Sequence, residues 1–370
     1  MNELTEREYL AWLASAKMPA AFLGNLLARF ETGETVYRLI SRRDEAVNEV
    51  LPKTVLDKLA ENAGENQMSF YKDRMNRFQI QSMTFLDSGF PSVLRDIPDP
   101  VSILFYQGDP GCLEGRTISM VGSRQASYNG LKAARQIAAE LGRKKITVVS
   151  GFAYGIDAAS HTGCMEGGSP TAAVMGCGLD QNYPADHFAL RKKVLDKGGV
   201  LMSEYAPGEK PMAANFPYRN RIISALGEAL ILVEAKIRSG SLRTVDHALA
   251  QGKEVFVYPG DPDSPHFEGN HQLLREGGHY FTTARDILED MNWLDKSPGY
   301  VQNSGCTDHR ADLLPEEEKI RKMLSPGALS FDQLAEKTGI APAQLLSLLT
   351  IMQIRGTVEA LPGKKYQLKQ

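Results

Sequence analysis

The sequence predicts an α/β protein: a mostly parallel sheet wrapped by helices, with a helical module before it and a winged-helix-like module after it. Three observations carry that expectation. Between residues 76 and 295, short apolar runs of strand length alternate with amphipathic helical stretches, as repeated strand–helix units of a parallel sheet require. Residues 1–75 carry apolar positions at three- and four-residue spacing, which is the helical period. Residues 316–370 read as three helices and a hairpin.

The helical module is expected over Glu6–Ala16, Ala20–Phe30 and Lys53–Ala63, with Gly and Pro between the segments. The stretch Gly24-Asn-Leu-Leu-Ala-Arg-Phe-Glu31 suggests a SAM-like or helix-hairpin-helix module. It suits packing or partner docking, and direct nucleic-acid contact stays open. In the core, strands are expected at Ile118–Val121, Thr147–Ser150, Ala172–Met175, Gly199–Ser203, Leu230–Glu234 and Glu254–Tyr258. Their near-continuous apolar character fits strands covered on both faces. Helices are expected at Gly130–Leu141, Asp157–Glu166, Asp186–Lys197, Arg221–Leu226 and Ser241–Gln251. Residues 296–315, polar and broken by Pro and Gly, read as a linker. Beyond it come a helix at Glu316–Leu324, a second opened by the capping box Ser330-Phe-Asp-Gln333, a third at Ala341–Ile354, and a hairpin of Val358–Leu361 and Tyr366–Leu368 around Pro362-Gly363. The third helix has one cation at its end, Arg355. A base-reading helix carries more basic and amide groups, so packing or partner binding suits this one better.

A chain of 370 residues is long enough for two or three domains. Hydrophobic residues make up 42% and charged residues 24%, which excludes a mainly disordered or fibrous protein. Lys plus Arg number 42 against 45 Asp plus Glu, so coating nucleic acid by bulk charge is excluded, whereas a local basic cleft is not. The first residues carry acids and no basic region before an apolar core, unlike a signal peptide, and no apolar run approaches 18 residues. Cys112, Cys164, Cys177 and Cys306 stand apart without C-x-x-C spacing, so neither a metal site nor a disulfide framework is indicated. A cytoplasmic protein with reduced thiols and no membrane contact is expected.

In open parallel sheets, ligands bind outside the carboxyl ends of the strands. After the first core strand stand Gly122-Ser123-Arg124 and then Tyr128-Asn-Gly130. Glycine permits the tight turn, backbone N–H groups meet a phosphate at a helix start, and Arg124 can fork onto it. Pairing of Arg124 with a nearby carboxylate is the alternative. After the second strand comes Ser150-Gly151-Phe-Ala-Tyr-Gly155-Ile-Asp157, a small-residue loop where the chain can approach a ligand. Asp157 is placed as an N-cap, and His161 follows four residues on, as an acid–base couple or, more simply, a structural hydrogen bond. After the third strand, Gly176-Cys-Gly-Leu-Asp180-Gln181 begins like a dinucleotide fingerprint and lacks its third glycine.

The most informative stretch is Phe216-Pro-Tyr-Arg219-Asn220-Arg221-Ile-Ile223. Its cations and amide suit phosphates, and its aromatics suit stacking on bases or packing in the core. Ser239-Gly240-Ser241, before the next helix, is a second anion-site candidate. Charge agrees locally. Residues 116–145 hold seven cations against Glu140, and residues 210–243 hold six against Glu228 and Glu234. No P-loop, H-E-x-x-H, G-x-S-x-G or nuclease-like carboxylate cluster occurs, so no catalytic set is indicated.

Taken in order, Gly122-Ser-Arg, Ser150-Gly-x-Ala-x-Gly-Ile-Asp, Gly176-x-Gly-x-Asp-x-x-Tyr-Pro, Ser203-Glu, Phe216-Pro-x-Arg-Asn-Arg-Ile, Val233-Glu-Ala, Ser239-Gly-Ser and Pro259-Gly resemble the DNA-processing protein DprA (Smf) family over about residues 100–285. The resemblance implies an extended Rossmann core that binds single-stranded DNA without ATP, metal or cofactor. It further implies protection of incoming DNA in natural transformation, loading of the RecA recombinase, and a homodimer formed through the core. The DNA pocket it implies is lined by Gly122, Ser123, Arg124, Ser150, Gly151, Gly155, Phe216, Arg219, Asn220, Arg221, Ser239 and Gly240. Two departures stand out: Tyr154 where the family usually has Arg, and Arg243 and Asp246 where it has apolar and small residues. A competing reading is a nucleotide phosphoribohydrolase of the LOG type, with Asp157, His161 and Glu204 or Glu234 as acids and bases. That class expects a Pro-Gly-Gly-x-Gly-Thr loop, which Pro259-Gly260-Asp261 does not supply.

Overall fold

The structure is a computed structural model. It describes residues 4–294 except 17 and 19, and residues 315–368 except 326, 341–344, 347, 350–351, 354–356 and 362–364. The chain forms two compact units, Met1–Asp295 and Lys296–Gln370.

The first unit opens with helices α1 (Glu6–Ser15), α2 (Ala20–Phe30), α3 (Gly33–Ser41), α4 (Lys53–Glu61) and α5 (Glu65–Arg77). Then follow β1 (Gln81–Thr84), β2 (Ile103–Gly108), β3 (Thr117–Val121), α6 (Tyr128–Arg143), β4 (Thr147–Ser150), α7 (Ile156–Glu166), β5 (Thr171–Val174), α8 (Phe188–Asp196), β6 (Val200–Ser203), α9 (Asn215–Leu226), β7 (Ala229–Leu232), α10 (Leu242–Ala250), β8 (Glu254–Val257), α11 (Glu268–Arg275), β9 (His279–Tyr280) and α12 (Ala284–Asp290). All six expected core strands are present. The sequence reading missed β1, β2 and β9. The edge strands β1 and β9 are short and carry polar residues such as Gln81, Ser82 and His279, because the outer strands of a sheet need less apolar cover. In contrast, β2 is an inner, largely buried strand paired to both β1 and β6.

The nine strands order as β1-β2-β6-β5-β4-β3-β7-β8-β9. From β6 to β9 every pairing is parallel, while β2 joins β6, and β1 joins β2, antiparallel. The chain leaves β3 outward through β4, β5 and β6, then returns to place β7 on β3's other side. That reversal opens a crevice at the carboxyl ends of β3 and β7.

Three apolar clusters hold this unit together. Ile222, Ile223, Leu226 and Val245 of α9 and α10 cover one face. Ala134, Ile137, Leu141 and Ile287 of α6 and α12 cover the other. Trp12, Leu13, Leu26 and Leu27 of the helical bundle share the third with Phe105, Ala173, Met175 and Leu201 of the sheet. The module boundary expected after residue 75 falls inside α5, whose Arg74 Nη1 lies 2.6 Å from the Asp180 carboxylate beyond β5. The bundle thus shares its core with the sheet.

The second unit contains α13 (Pro315–Leu324), β10 (Leu329–Ser330), α14 (Phe331–Thr338), β11 (Val358–Leu361) and β12 (Lys365–Leu368), in a sheet ordered β10-β12-β11. The expected capping box opens α14, with Ser330 and Gln333 bonded reciprocally. Ile320, Leu324, Leu334 and Leu349 are buried in its core. Apart from Pro315, the expected linker lies outside the described residues. So does much of the expected third helix, Ala341–Ile354, with Arg355.

Candidate nucleic-acid interface

The turn after β3 is fixed from both sides. Ser123 N–H donates to Glu234 O at 2.8 Å, and Ile156 N–H donates to Ser123 O at 3.1 Å. A Cβ on Gly122 would stand 2.6 Å from Ile156 Cγ1, so only glycine allows α7 to begin so close. Gly155 has φ +75°, and a Cβ there would run into Ser123 O. With the turn pinned, Arg124 projects outward and is exposed.

Glu234, proposed above as an acid or base of the competing enzyme, serves as a clamp. Its buried carboxylate accepts from Ser127 N–H at 3.0 Å, from the Ser127 hydroxyl, and from His266 Nδ1 at 3.2 Å. Any side chain at Gly130 would run into it. The start of α6 is therefore held at the crevice by the segment that follows β7, across the switch point.

The helix expected from Arg221 begins instead at Asn215, and this reassigns the arginines. Residues two apart on a helix face different ways, whereas those three or four apart share a face. Phe216, Arg219 and Asn220 line the crevice. Tyr218 and Arg221 turn aside, with the Arg221 guanidinium 4.0 Å from the Tyr218 ring. Arg221 is 3% exposed. Its Nη1 and Nη2 donate to the two Glu204 oxygens at 2.7 and 2.6 Å, and its Nε lies 3.3 Å from Asp99 Oδ2. Arg221, expected among the lining residues, does not line this crevice: a buried ion pair with Glu204 holds it elsewhere.

Arg219 sits at the crevice floor, also 3% exposed. Its Nη1 donates to Gly151 O at 2.7 Å and to Val174 O, tying together the ends of β4 and β5. Burial pushes its pKa down to about 10, against the opposing pull of Asp157. A Cβ on Gly151 would stand 2.7 Å from Asp157 Oδ2 and 2.9 Å from Arg219 Nη2, so that glycine makes room for both groups. Ser150 is kept out of the crevice: its hydroxyl donates to Met120 O at 2.7 Å inside the sheet.

The crevice has a volume of about 690 Å³, and its charged lining groups are Arg124, Arg219, Lys236 and one carboxylate, Asp157. The guanidinium carbons of Arg124 and Arg219 lie 5.3 and 5.9 Å from the Phe216 ring centroid. Tyr183, which the sequence reading did not assign to the site, lies 5.3 Å from the same ring. Arg124 forms no ion pair with another described residue. Ser239 and Gly240, before α10, close the far wall. Gly122, Ser123 and Asn220 also line the crevice, Gly151 lines a small recess beside Phe216, and Gly155 lies beyond Arg124 between α6 and α7. Tyr154, the departure from the family pattern, donates its hydroxyl to Asp186 Oδ2 at 3.0 Å.

Asp157 lies inside α7, whose N-cap is Gly155. Burial raises its pKa, while Arg219 and the Ala153 N–H oppose the rise. No hydrogen bond joins it to His161 among the described residues. Thr171 Oγ1 donates to Val148 O at 2.6 Å, so it must accept from His161 Nδ1–H at 2.7 Å. That leaves His161 Nε2 buried without a partner. Burial pushes the His161 pKa down to about 3. The unfolded ring protonates near about 6.5, so the unfolded state binds more protons between these values and stability falls as pH drops through them. The urea midpoint is expected to decline between about pH 6.5 and 5, and less steeply in His161→Gln; parallel slopes would refute this.

Among the described residues, no three His, Cys, Asp or Glu side chains are grouped to hold a metal ion, and no helix is long and apolar enough to cross a membrane. The family profile "DNA recombination-mediator protein A" matches residues 81–292, and "DprA winged helix domain" matches residues 307–364. Protein Smf of Escherichia coli (strain K12) is 33% identical over 285 residues, covering 76% of this chain and 75% of that protein. The X-ray structure of DNA processing protein A from Streptococcus pneumoniae aligns with a TM-score of 0.64 at 31% identity, over 76% of this chain and 97% of that one. A Helicobacter pylori structure, described as showing the single-stranded DNA binding mode of DNA processing protein A, aligns with a TM-score of 0.52 at 24% identity. It covers 58% of this chain and 96% of that one, and shows a shared fold. With a matching profile over most of the first unit, and a relative this similar over three quarters of both chains, the chain belongs to the DNA recombination-mediator protein A (DprA) family.

Proposed function

We propose that the crevice between β3 and β7 grips the sugar–phosphate chain of single-stranded DNA, and that the protein acts on DNA by binding it without breaking its bonds. The observation that carries this reading is Arg124: exposed, unpaired among the described residues and stacked near Phe216 at the switch point of the sheet. A guanidinium beside an aromatic face can hold a phosphate while a base stacks. A glycine at 240, with nothing near the place of a Cβ, leaves the backbone of that wall approachable.

The groups that the competing enzyme would need have other work. Glu204 is bound by Arg221, Glu234 holds the start of α6, and His161 is buried in a fixed tautomer. The family adds the finer expectations of a homodimer through the core, a cytoplasmic site of action, and delivery of the bound strand to the RecA recombinase.

Fluorescence anisotropy of the full chain with oligothymidylate and with a duplex of equal length tests the reading. Affinity for the single strand is expected to exceed that for the duplex by about tenfold or more, and to fall linearly in log–log form with salt. Equal affinity for both, or no salt dependence, would overturn it.

A further inference from the structure

We infer that the DNA track does not end in the crevice, but continues across Arg124 into a second groove between α6 and α7, where Tyr128 is a stacking platform and Lys132 a phosphate contact. The inference rests on the single-strand reading of the crevice and extends its path. The second groove, of about 610 Å³, shares Arg124 and Gln125 with the crevice. The two spaces therefore meet at one cation.

Tyr128 is the first residue of α6 and is 79% exposed, the greatest exposure among the large hydrophobic and aromatic side chains described. Its ring buries little apolar area and its hydroxyl has no partner among the described residues, so the fold gains little from it. A large amphipathic ring held at a rigid helix start is what sequence-tolerant stacking needs. Lys132 follows one turn later on the same face, exposed and without an ion pair to a described residue. Arg135, a further turn on, is already held by Glu166, with its Nε 2.7 Å from Oε2. The usable charge is thus Arg124 followed by Lys132.

The floor is made by small residues of α7, Ala158, Ala159 and Thr162. The helices can pack this tightly because a Cβ on Gly163 would run into Arg135 O. From residue 128 to residue 136 the groove runs about 12 Å at the helical rise, the length of about three stacked nucleotides. A polyanion leaving Arg124 meets cations and an aromatic along this route. Glu166, on the α7 side, is neutralised by Arg135.

The test compares oligothymidylates of about six and about twenty nucleotides, a range that brackets a short and an extended site. In the full chain, Tyr128→Ala and Lys132→Glu are expected to weaken the long strand about fivefold or more, consistent with one lost stacking contact, and to leave the short strand within about twofold. Tyr128→Phe, which keeps the ring, is expected to bind both like the unmodified protein. Loss on both lengths alike would place Tyr128 in the crevice or in the fold, and unchanged binding of both would place the strand elsewhere; either overturns the inference. A shift in sedimentation without loss on the long strand would make the groove a contact between copies of the chain, which also overturns it. If the unmodified protein bound neither length, the crevice reading itself would fall; if it bound both lengths with the same affinity per site, only the extension would.

Discussion

Arg124→Ala is expected to weaken single-strand binding by about tenfold to a hundredfold, the range for losing a charge-assisted phosphate contact with its cation–π support. The same change should make the plot of log affinity against log salt shallower by about 0.7, because one cation fewer displaces counterions from the strand. The prediction is sharp because Arg124 has no second job: it is exposed and pairs with no described carboxylate. Melting temperature should hardly move. Arg124→Lys should recover the slope and only part of the affinity, since an ammonium neither forks nor stacks as a guanidinium does. Anisotropy titrations at several salt concentrations decide it, and an unchanged slope in Arg124→Ala would remove that side chain from the interface.

Arg221→Ala, two positions from Arg219, is expected to behave in the opposite way. It should lower folding stability by about 3 kcal/mol, the low end for breaking a buried ion pair, because the Glu204 carboxylate is left without its partner. The Arg221 side chain is 4% exposed and that of Glu204 17%, so water can compensate only slightly. Folded protein should keep its affinity for the single strand. Urea denaturation followed by circular dichroism measures the first effect, and titration well below the unfolding transition measures the second. A variant of normal stability that loses DNA affinity would return Arg221 to the interface. Arg221→Lys should recover little, because the two-pronged contact to Glu204 needs the planar fork.

These two arginines show how far the sequence could be read. The order of strand-end motifs specified the sheet, the switch point and most of the crevice, since loops there are built from glycine, serine and one outward cation. The phase of a helix was less legible. With α9 expected to begin at Arg221, residues 216–220 formed a loop in which every cation could face one ligand. A start at Asn215 separates 216, 219 and 220 from 218 and 221 by rotation alone. The inward turn of the Ser150 hydroxyl was illegible for a related reason. In a buried strand end, a hydroxyl bonds the nearest carbonyl, here Met120 O, before it serves a ligand. Glu234 and Gly130 form a contact across 104 positions of chain that no local pattern announces. Tyr183 reaches Phe216 only through the packing of the loop after β5.

That loop carries a consequence for the helical bundle. On one side it delivers Tyr183 to Phe216; on the other, Asp180 is held by Arg74 and accepts from Gly208 N–H at 2.8 Å. Phe70 packs where Gly208, at φ +91°, leaves no room for a side chain. Helix α5 thus acts as a buttress behind one bank of the channel. Displacing α5 would therefore move the Tyr183 bank of the channel without altering any residue that lines it.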